Sequence, residues 1–174
     1  MSDNFYAIHT QGLVRVAACT PRLAIGDPGF NAKETLALAH EGHARGIDLM
    51  LFPELGLSAY AIDDLLLQDA LLRSVEAELK SLVAASEGLS PVLIVGAPIA
   101  HNGRLYNCAV AISQGRILGV TPKTFLPNYR EYYENRWFAP GAGVVGLELE
   151  LAGQTVPFGT DLIFAAADLP DFIF

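Results

Sequence analysis

Two apolar runs in this chain stop in the same way. Asp48-Leu-Met-Leu-Phe-Pro-Glu54 ends on a proline and an acid, and the run from Arg116 to Val120 leads through Pro122 to Lys123. Short apolar runs closed by proline are the pattern of strands buried on both faces, so several layers must cover them. In a layered α/β domain, strand ends on one sheet edge are neighbours in space however distant in sequence, and ligands bind at that edge. A lysine leaving a hydrophobic sheet loses its charge by desolvation unless a carboxylate holds the proton on it. Glu54 is the acid that the pattern offers to Lys123.

Composition limits the classes of function. The 174 residues are 52% apolar and 17% charged, enough for one domain with a sizeable core and with no shift in composition that marks a second. A net charge of −8 repels a phosphate backbone and the 11 basic residues form no run, so nucleic acid is not an expected partner. The longest low-polarity run, Pro91 to Ala100, is interrupted by Gly96 and Pro98 and is too short to span a bilayer. Met1 to Gly12 has neither a basic start nor an apolar segment, which predicts no secretory leader and a cytoplasmic location. Cys19 and Cys108 lie in apolar, strand-like segments as small buried hydrophobes. His9, His40, His43 and His101 show no metal-ligand spacing with them, so no metal site is expected.

Along the chain, Val14 to Thr20 reads as a first strand, broken by Gly26-Asp-Pro-Gly29. Asn31 with Glu34 three residues on predicts a capped helix to about Arg45, ended by Gly46. Ile47 to Phe52 is the second strand and Leu55 to Ala61 a loop. Asp63 and Asp64 open a helical region to about Ser86, with Leu66, Ala70, Val75, Leu79 and Leu82 on its apolar face. These two aspartates read as first-turn acids and not as site residues.

Val92 to Ala97 is the third strand, and Leu105 to Ile112 and Arg116 to Val120 flank Ser113-Gln-Gly115 as an antiparallel hairpin. Parallel strands early and a hairpin late predict a mixed sheet. Val145 to Leu151 alternates, with Glu148 and Glu150 facing water. Leu162 to Ala165 is apolar, Asp168 to Asp171 is a turn, and Phe172-Ile-Phe174 begins a strand that the chain does not complete, which predicts a fragment of a longer domain.

Charged and aromatic residues crowd between Pro122 and Trp137, where Lys123, Tyr129, Glu131 and Glu134 all fall. Phe52-Pro-Glu54, Pro122-Lys123-Thr-Phe-Leu-Pro-Asn-Tyr129 and Tyr132-Tyr-Glu134-Asn-Arg-Trp-Phe138 together resemble the nitrilase, or carbon-nitrogen hydrolase, superfamily. Ser58-Ala-Tyr60-Ala-Ile-Asp-Asp-Leu-Leu-Leu67, Tyr106-Asn-Cys-Ala-Val-Ala and Asn128-Tyr-Arg-Glu-Tyr-Tyr-Glu134 resemble one branch of it, the amino-terminal glutaminase domains of glutamine-dependent NAD⁺ synthetases. Ala59 stands where that branch usually has glycine, and a small packing change is expected there.

The resemblance implies an α/β fold, a nitrilase-like α-β-β-α sandwich with mixed sheets, incomplete at its carboxy terminus. It implies Glu54 as base, Lys123 as electrostatic stabiliser and Glu134 as supporting acid, with Glu131 the weaker candidate. Tyr129 and Tyr60 would bind substrate. The family's nucleophilic cysteine has no counterpart in this chain, because neither Cys19 nor Cys108 lies in its context, and the 174 residues alone are expected to be inactive. L-glutamine is the implied substrate, and a synthetase domain of the same polypeptide, using ATP and Mg²⁺, the implied partner, with homo-oligomers expected. No cofactor is expected in this part. A free-standing amidase or carbamoylase would share the same site, and a non-catalytic binding or assembly unit is the third reading.

Overall fold

The computed structural model describes residues 7–169 and 171–174. Of the sequence expectations, the leader reading of Met1 to Tyr6 and Pro170 of the expected turn lie outside the described residues. The described residues build one mixed seven-stranded sheet under two α-helices, so the expected α/β class with mixed pairing is what the chain adopts. In chain order the strands are β1 (Val16–Ala18), β2 (Leu49–Leu51), β3 (Val92–His101), β4 (Arg104–Ser113), β5 (Arg116–Pro122), β6 (Leu147–Leu151) and β7 (Gln154–Phe158). Their order across the sheet is β1-β2-β3-β4-β5-β7-β6. β1, β2 and β3 run parallel, β4 is antiparallel to both β3 and β5, and β5 runs parallel to β7. The carboxy-terminal ends of β2, β3 and β5 therefore share one edge of the sheet.

Helix α1 (Pro28–Ala44) starts four residues earlier than expected. Asp27, not Asn31, caps it by accepting the Phe30 N–H at 3.0 Å, because Pro28 follows Asp27 with no N–H to satisfy and a torsion already suited to the first turn. Asn31 is instead fully buried: it accepts the Ala24 N–H and donates to the carbonyls of Ala24 and Leu57, tying two loops together. Glu34 pairs with Arg22 at 3.0 Å and has no capping role. Gly46, at φ +63°, ends the helix region as expected.

The second helical region is divided. A 3₁₀ turn (Asp63–Leu67) precedes α2 (Asp69–Ala85), with extended backbone at Gln68 between them. The break lets Leu66 join a small cluster with Leu55, Ile62 and Phe138, while Val75, Leu79 and Leu82 face the main core against the sheet. Ala70, expected on the same apolar face, is exposed.

The Gln114-Gly115 hairpin forms as read. Two further hairpins went unread. Asn102-Gly103 joins β3 to β4 and Ala152-Gly153 joins β6 to β7, each with two consecutive positive φ angles, the geometry whose twist matches paired strands. Glu148 and Glu150 are exposed on β6, as the alternation predicts. Ala165 and Ile173 form a single antiparallel bridge, so the last residues fold back on the segment before them and join none of the seven strands.

Register assigns the two faces of the sheet. Ala17, Met50, Leu93 and Ile112 are aligned across four strands, and at this level the side chains turn toward the helices. Val16, Leu51 and Ile94 lie on the other face, where Val16 and Leu51 remain more than half exposed. No described helix is long and apolar enough to cross a membrane.

Candidate active site

β2 and β5 are separated by two strands, a gap of about 14 Å at ordinary strand spacing. Side chains at their ends meet because the chain after β2 folds back across β3. It crosses at Gly96, where a β-carbon would stand 2.4 Å from the Pro53 carbonyl oxygen and 2.5 Å from the Leu55 nitrogen. Only a residue without a side chain admits that crossing. The loop is then fastened by the Leu57 N–H to the Gly96 carbonyl, by Ser58 Oγ, which bonds within the loop, and by Asn31. So held, it carries three non-glycine residues in left-handed backbone, Leu55, Ala59 and Asp63.

Ala59 at φ +67° revises the expectation of a packing change only. The position demands a left-handed torsion, which costs an alanine about 1–2 kcal/mol. Its buried methyl returns about 0.8 kcal/mol, and the alanine forfeits less chain entropy than glycine by about 0.4–1 kcal/mol, so the departure is close to neutral.

Lys123 leaves β5 between two carboxylates. Its Nζ donates to Glu54 Oε1 at 2.7 Å and to Glu134 Oε1 at 2.9 Å. Glu134 opens a short 3₁₀ turn and is 1% exposed, whereas Glu131 points into solvent, so the structure brings the first acid and not the second to the lysine. Tyr60 completes this side by donating from its hydroxyl to Glu134 Oε1 at 2.6 Å. Glu134 Oε2 is buried without a partner among the described residues. Burial alone would lower the Lys123 pKa, but the hydrogen bonds and charges of Glu54 and Glu134 outweigh it and raise the pKa above its ordinary value. Burial, followed by the Glu134 hydrogen bond and charge, pushes the Tyr60 hydroxyl well above the usual phenol range, which keeps it a donor.

Tyr129 is 64% exposed on the loop after Lys123 and leans on Tyr132, with ring centroids 6.1 Å apart. It is not a core tyrosine, and among the described residues no hydrogen bond joins it to the lysine cluster. Among the described residues no hydrogen bond joins either cysteine to that cluster, although Cys108 borders the cleft beside it. Cys108 packs in the helix-side core, and burial raises its thiol far above the ordinary range; burial also raises Cys19.

Three contributors were missed from the sequence. Asn107, on β4, donates from Nδ2 to Glu54 Oε1 at 2.5 Å. Its position in the middle of an apolar strand was the available signal, since a buried amide needs a partner. Asp64 is not merely a first-turn acid: it accepts from Arg136 Nε and Nη2, both at 2.7 Å, and from Trp137 Nε1 at 2.9 Å. Asp63 accepts the Tyr133 hydroxyl at 3.1 Å. These bonds clamp the Glu134 turn to the segment that follows Tyr60.

A cleft of about 390 Å³ opens beside the cluster, lined by Glu54, Asn107 and Lys123 together with Phe52, Ile94 and Thr121. Its size suits a small metabolite, and its polar groups converge on one wall. A second cleft of about 410 Å³, between Leu66, Arg104 and Trp137, has Arg104 as its one titratable lining residue and offers no acid–base pair. No group of described residues could hold a metal ion.

Glu54 and the buried Glu134 flank Lys123 at one sheet edge, and the chain belongs to the carbon-nitrogen hydrolase family, whose model matches residues 15–168. It is similar to the glutamine-dependent NAD(+) synthetases of Mycobacterium tuberculosis strain H37Rv, 54% identical over 170 residues, and Mycobacterium leprae, 51% identical over 166. These alignments cover 98% and 95% of this chain but 25% and 24% of the relatives, so the chain spans about a quarter of their length. Among solved structures, a glutamine-dependent NAD(+) synthetase from Cytophaga hutchinsonii superposes with a TM-score of 0.81 over 89% of this chain and 26% of that one. At 24% identity that likeness establishes the fold.

Proposed function

We propose that these residues are the amino-terminal part of a glutaminase domain that releases ammonia from L-glutamine for NAD⁺ synthesis from deamido-NAD⁺ in a longer polypeptide. The observation that carries this reading is Lys123 Nζ held by Glu54 and Glu134 at 2.7 and 2.9 Å. The similarity to mycobacterial glutamine-dependent synthetases supports the choice of glutamine among amides.

An ammonium has three N–H donors. Two of those on Lys123 are spent on the carboxylates, and the third is available to the oxygen of a substrate amide. In the reading, a cysteine thiol outside these residues gives its proton to Glu54 and its sulfur attacks the side-chain carbonyl carbon. The oxygen becomes negative beside Lys123. The C–N bond then breaks, Glu54 returns the proton to the departing nitrogen, and ammonia leaves a thioester. Water, deprotonated by Glu54, cleaves the thioester to glutamate and restores the thiol. One well-placed donor to such an oxyanion lowers the barrier by about 2.7–4 kcal/mol. Glu134 and Tyr60 keep the ammonium in place, and Tyr129 contacts glutamine at the mouth of the site.

ATP and Mg²⁺ belong, in this reading, to the synthetase part of the polypeptide, and no step at Glu54 or Lys123 involves them. Self-association of the whole protein is part of the same proposal, supported by the exposed apolar side chains of Val16, Leu51 and Ile163. Light scattering of the full-length protein measures it.

The test compares ammonia release from glutamine by the full-length protein and by the 174-residue chain. The full-length protein should release it and transfer it to deamido-NAD⁺, and the short chain should not exceed its own Cys19→Ser, Cys108→Ser double variant. Activity of the short chain above that control, or none in the full-length protein, would overturn the reading.

A further inference from the structure

Both hydrogen bonds on Glu54 fall on one oxygen. Oε1 accepts from Lys123 Nζ at 2.7 Å and from Asn107 Nδ2 at 2.5 Å, and Oε2 accepts from no described residue. Asn107 is 4% exposed and is fixed at both ends, because its backbone carbonyl accepts the Lys123 N–H at 2.8 Å. Its amide cannot be turned over at this site, since its carbonyl oxygen would then face a carboxylate oxygen.

We propose that Asn107 is a positioning residue for the base: with Lys123 it saturates Oε1 and leaves Oε2 of Glu54 as the oxygen that takes and returns the proton. The inference rests on the glutaminase reading. Glu54 sits on a loop with its side chain nearly half exposed. Lys123 approaches on a flexible four-carbon stem and, alone, would follow the carboxylate as it rotated. Asn107 sits on a central strand with a short, planar side chain, so its N–H fixes the plane of the carboxylate and the identity of its free oxygen. A proton-transfer group displaced by about 1 Å loses on the order of 10²-fold in rate.

The experiment uses the full-length protein with Asn107→Ser and Asn107→Asp. Ammonia release by the wild type comes first, and its absence would defeat the glutaminase reading whatever Asn107 does. In Asn107→Ser the donor no longer reaches Glu54, and kcat should fall about tenfold or more with KM changed less than about threefold. In Asn107→Asp a carboxyl of the same shape faces Glu54. One proton must then be shared between two acids, so the acidic limb of the kcat/KM profile should move up by about one pH unit or more. A readout independent of turnover is the ¹³C signal of the Glu54 carboxyl in the 174-residue chain, which should broaden or shift in Asn107→Ser while Tm stays within a few degrees. An unmoved acidic limb in Asn107→Asp, or an unperturbed Glu54 signal in Asn107→Ser, would overturn the proposal. If Asn107→Asp does not fold, the KM-against-kcat split and the Glu54 signal of Asn107→Ser decide it.

Discussion

A β-carbon on Gly96 would lie 2.5 Å from the backbone nitrogen of Leu55, the residue next to Glu54. Backbone, not a flexible side chain, fills the space, so the neighbour cannot swing aside. Gly96→Ala should therefore cost about 1–3 kcal/mol, the range for overpacking a closed site, and should lift Glu54 away from Lys123. Urea melts give the first quantity. A crystal structure of the variant gives the second, and an unchanged 2.7 Å contact would show that the crossing does not set the position of Glu54.

Lys123→Met leaves Glu134 buried with a tyrosine hydroxyl as its remaining partner. Removing one member of a buried ion pair costs about 3–5 kcal/mol, and the low end is expected here because Lys123 keeps some contact with water. The pair also predicts a pH dependence. The folded-state pKa of Lys123 is raised, so its stabilisation is complete below the ordinary lysine value of about 10.4 and is lost only as pH rises through the raised one. Melts between neutral pH and about pH 11 should show this alkaline loss in the wild type and its reduction in Lys123→Met.

Trp137, the single tryptophan of the chain, reports on the clamp. The hydrogen bonds from Arg136 and then Trp137 hold the Asp64 carboxyl well below the usual range. Depression means that the contact persists above the unfolded carboxylate value and is lost as pH falls through the lower, folded one. Fluorescence of Trp137 should thus stay constant through about pH 4, and in Arg136→Gln the acid transition should move up toward that ordinary value. Because the pair is exposed, overall stability should change little. A fluorescence transition unaffected by Arg136→Gln would detach Asp64 from it.

Neither thiol should react readily. Cys108 is 2% exposed and burial raises both cysteines, so a thiol-specific colorimetric reagent at neutral pH should label them slowly in the native chain and completely in denaturant. Fast native labelling of Cys108 would contradict its place in the core.

The sequence made strand ends and hairpin partners legible where local chemistry decides them. Glu54 and Lys123 each follow an apolar run and a proline, and Gln114-Gly115 carries its own turn geometry. Asn31 does not cap because the capping pattern it begins is real but weaker than the one set by Asp27 four residues earlier with Pro28 after it, and only the packed loops show that its amide is needed elsewhere. Asp63 and Asp64 look like helix-start acids for a sound local reason. Their partners lie 70 to 73 positions away, where no periodicity reaches. Asn102-Gly103 is a plain local turn signal, and the strand before it runs past the expected end at Ala97 to His101. β3 carries Pro98 in its interior, opposite Asn107.

The crossing over Gly96 also determines when a chain like this acquires its chemistry. Glu54 and Lys123 are 69 residues apart, and they come within reach only when β2, β3, β4 and β5 are aligned and the loop has folded back. Each of those steps closes a long stretch of backbone before any contact at the sheet edge repays it. A nascent or partly melted molecule therefore carries the acids and the lysine as ordinary, hydrated surface groups. The close triad is a property of the finished sheet alone, and appearance of its 2.7 Å ion pair during refolding would mark the moment at which assembly is complete.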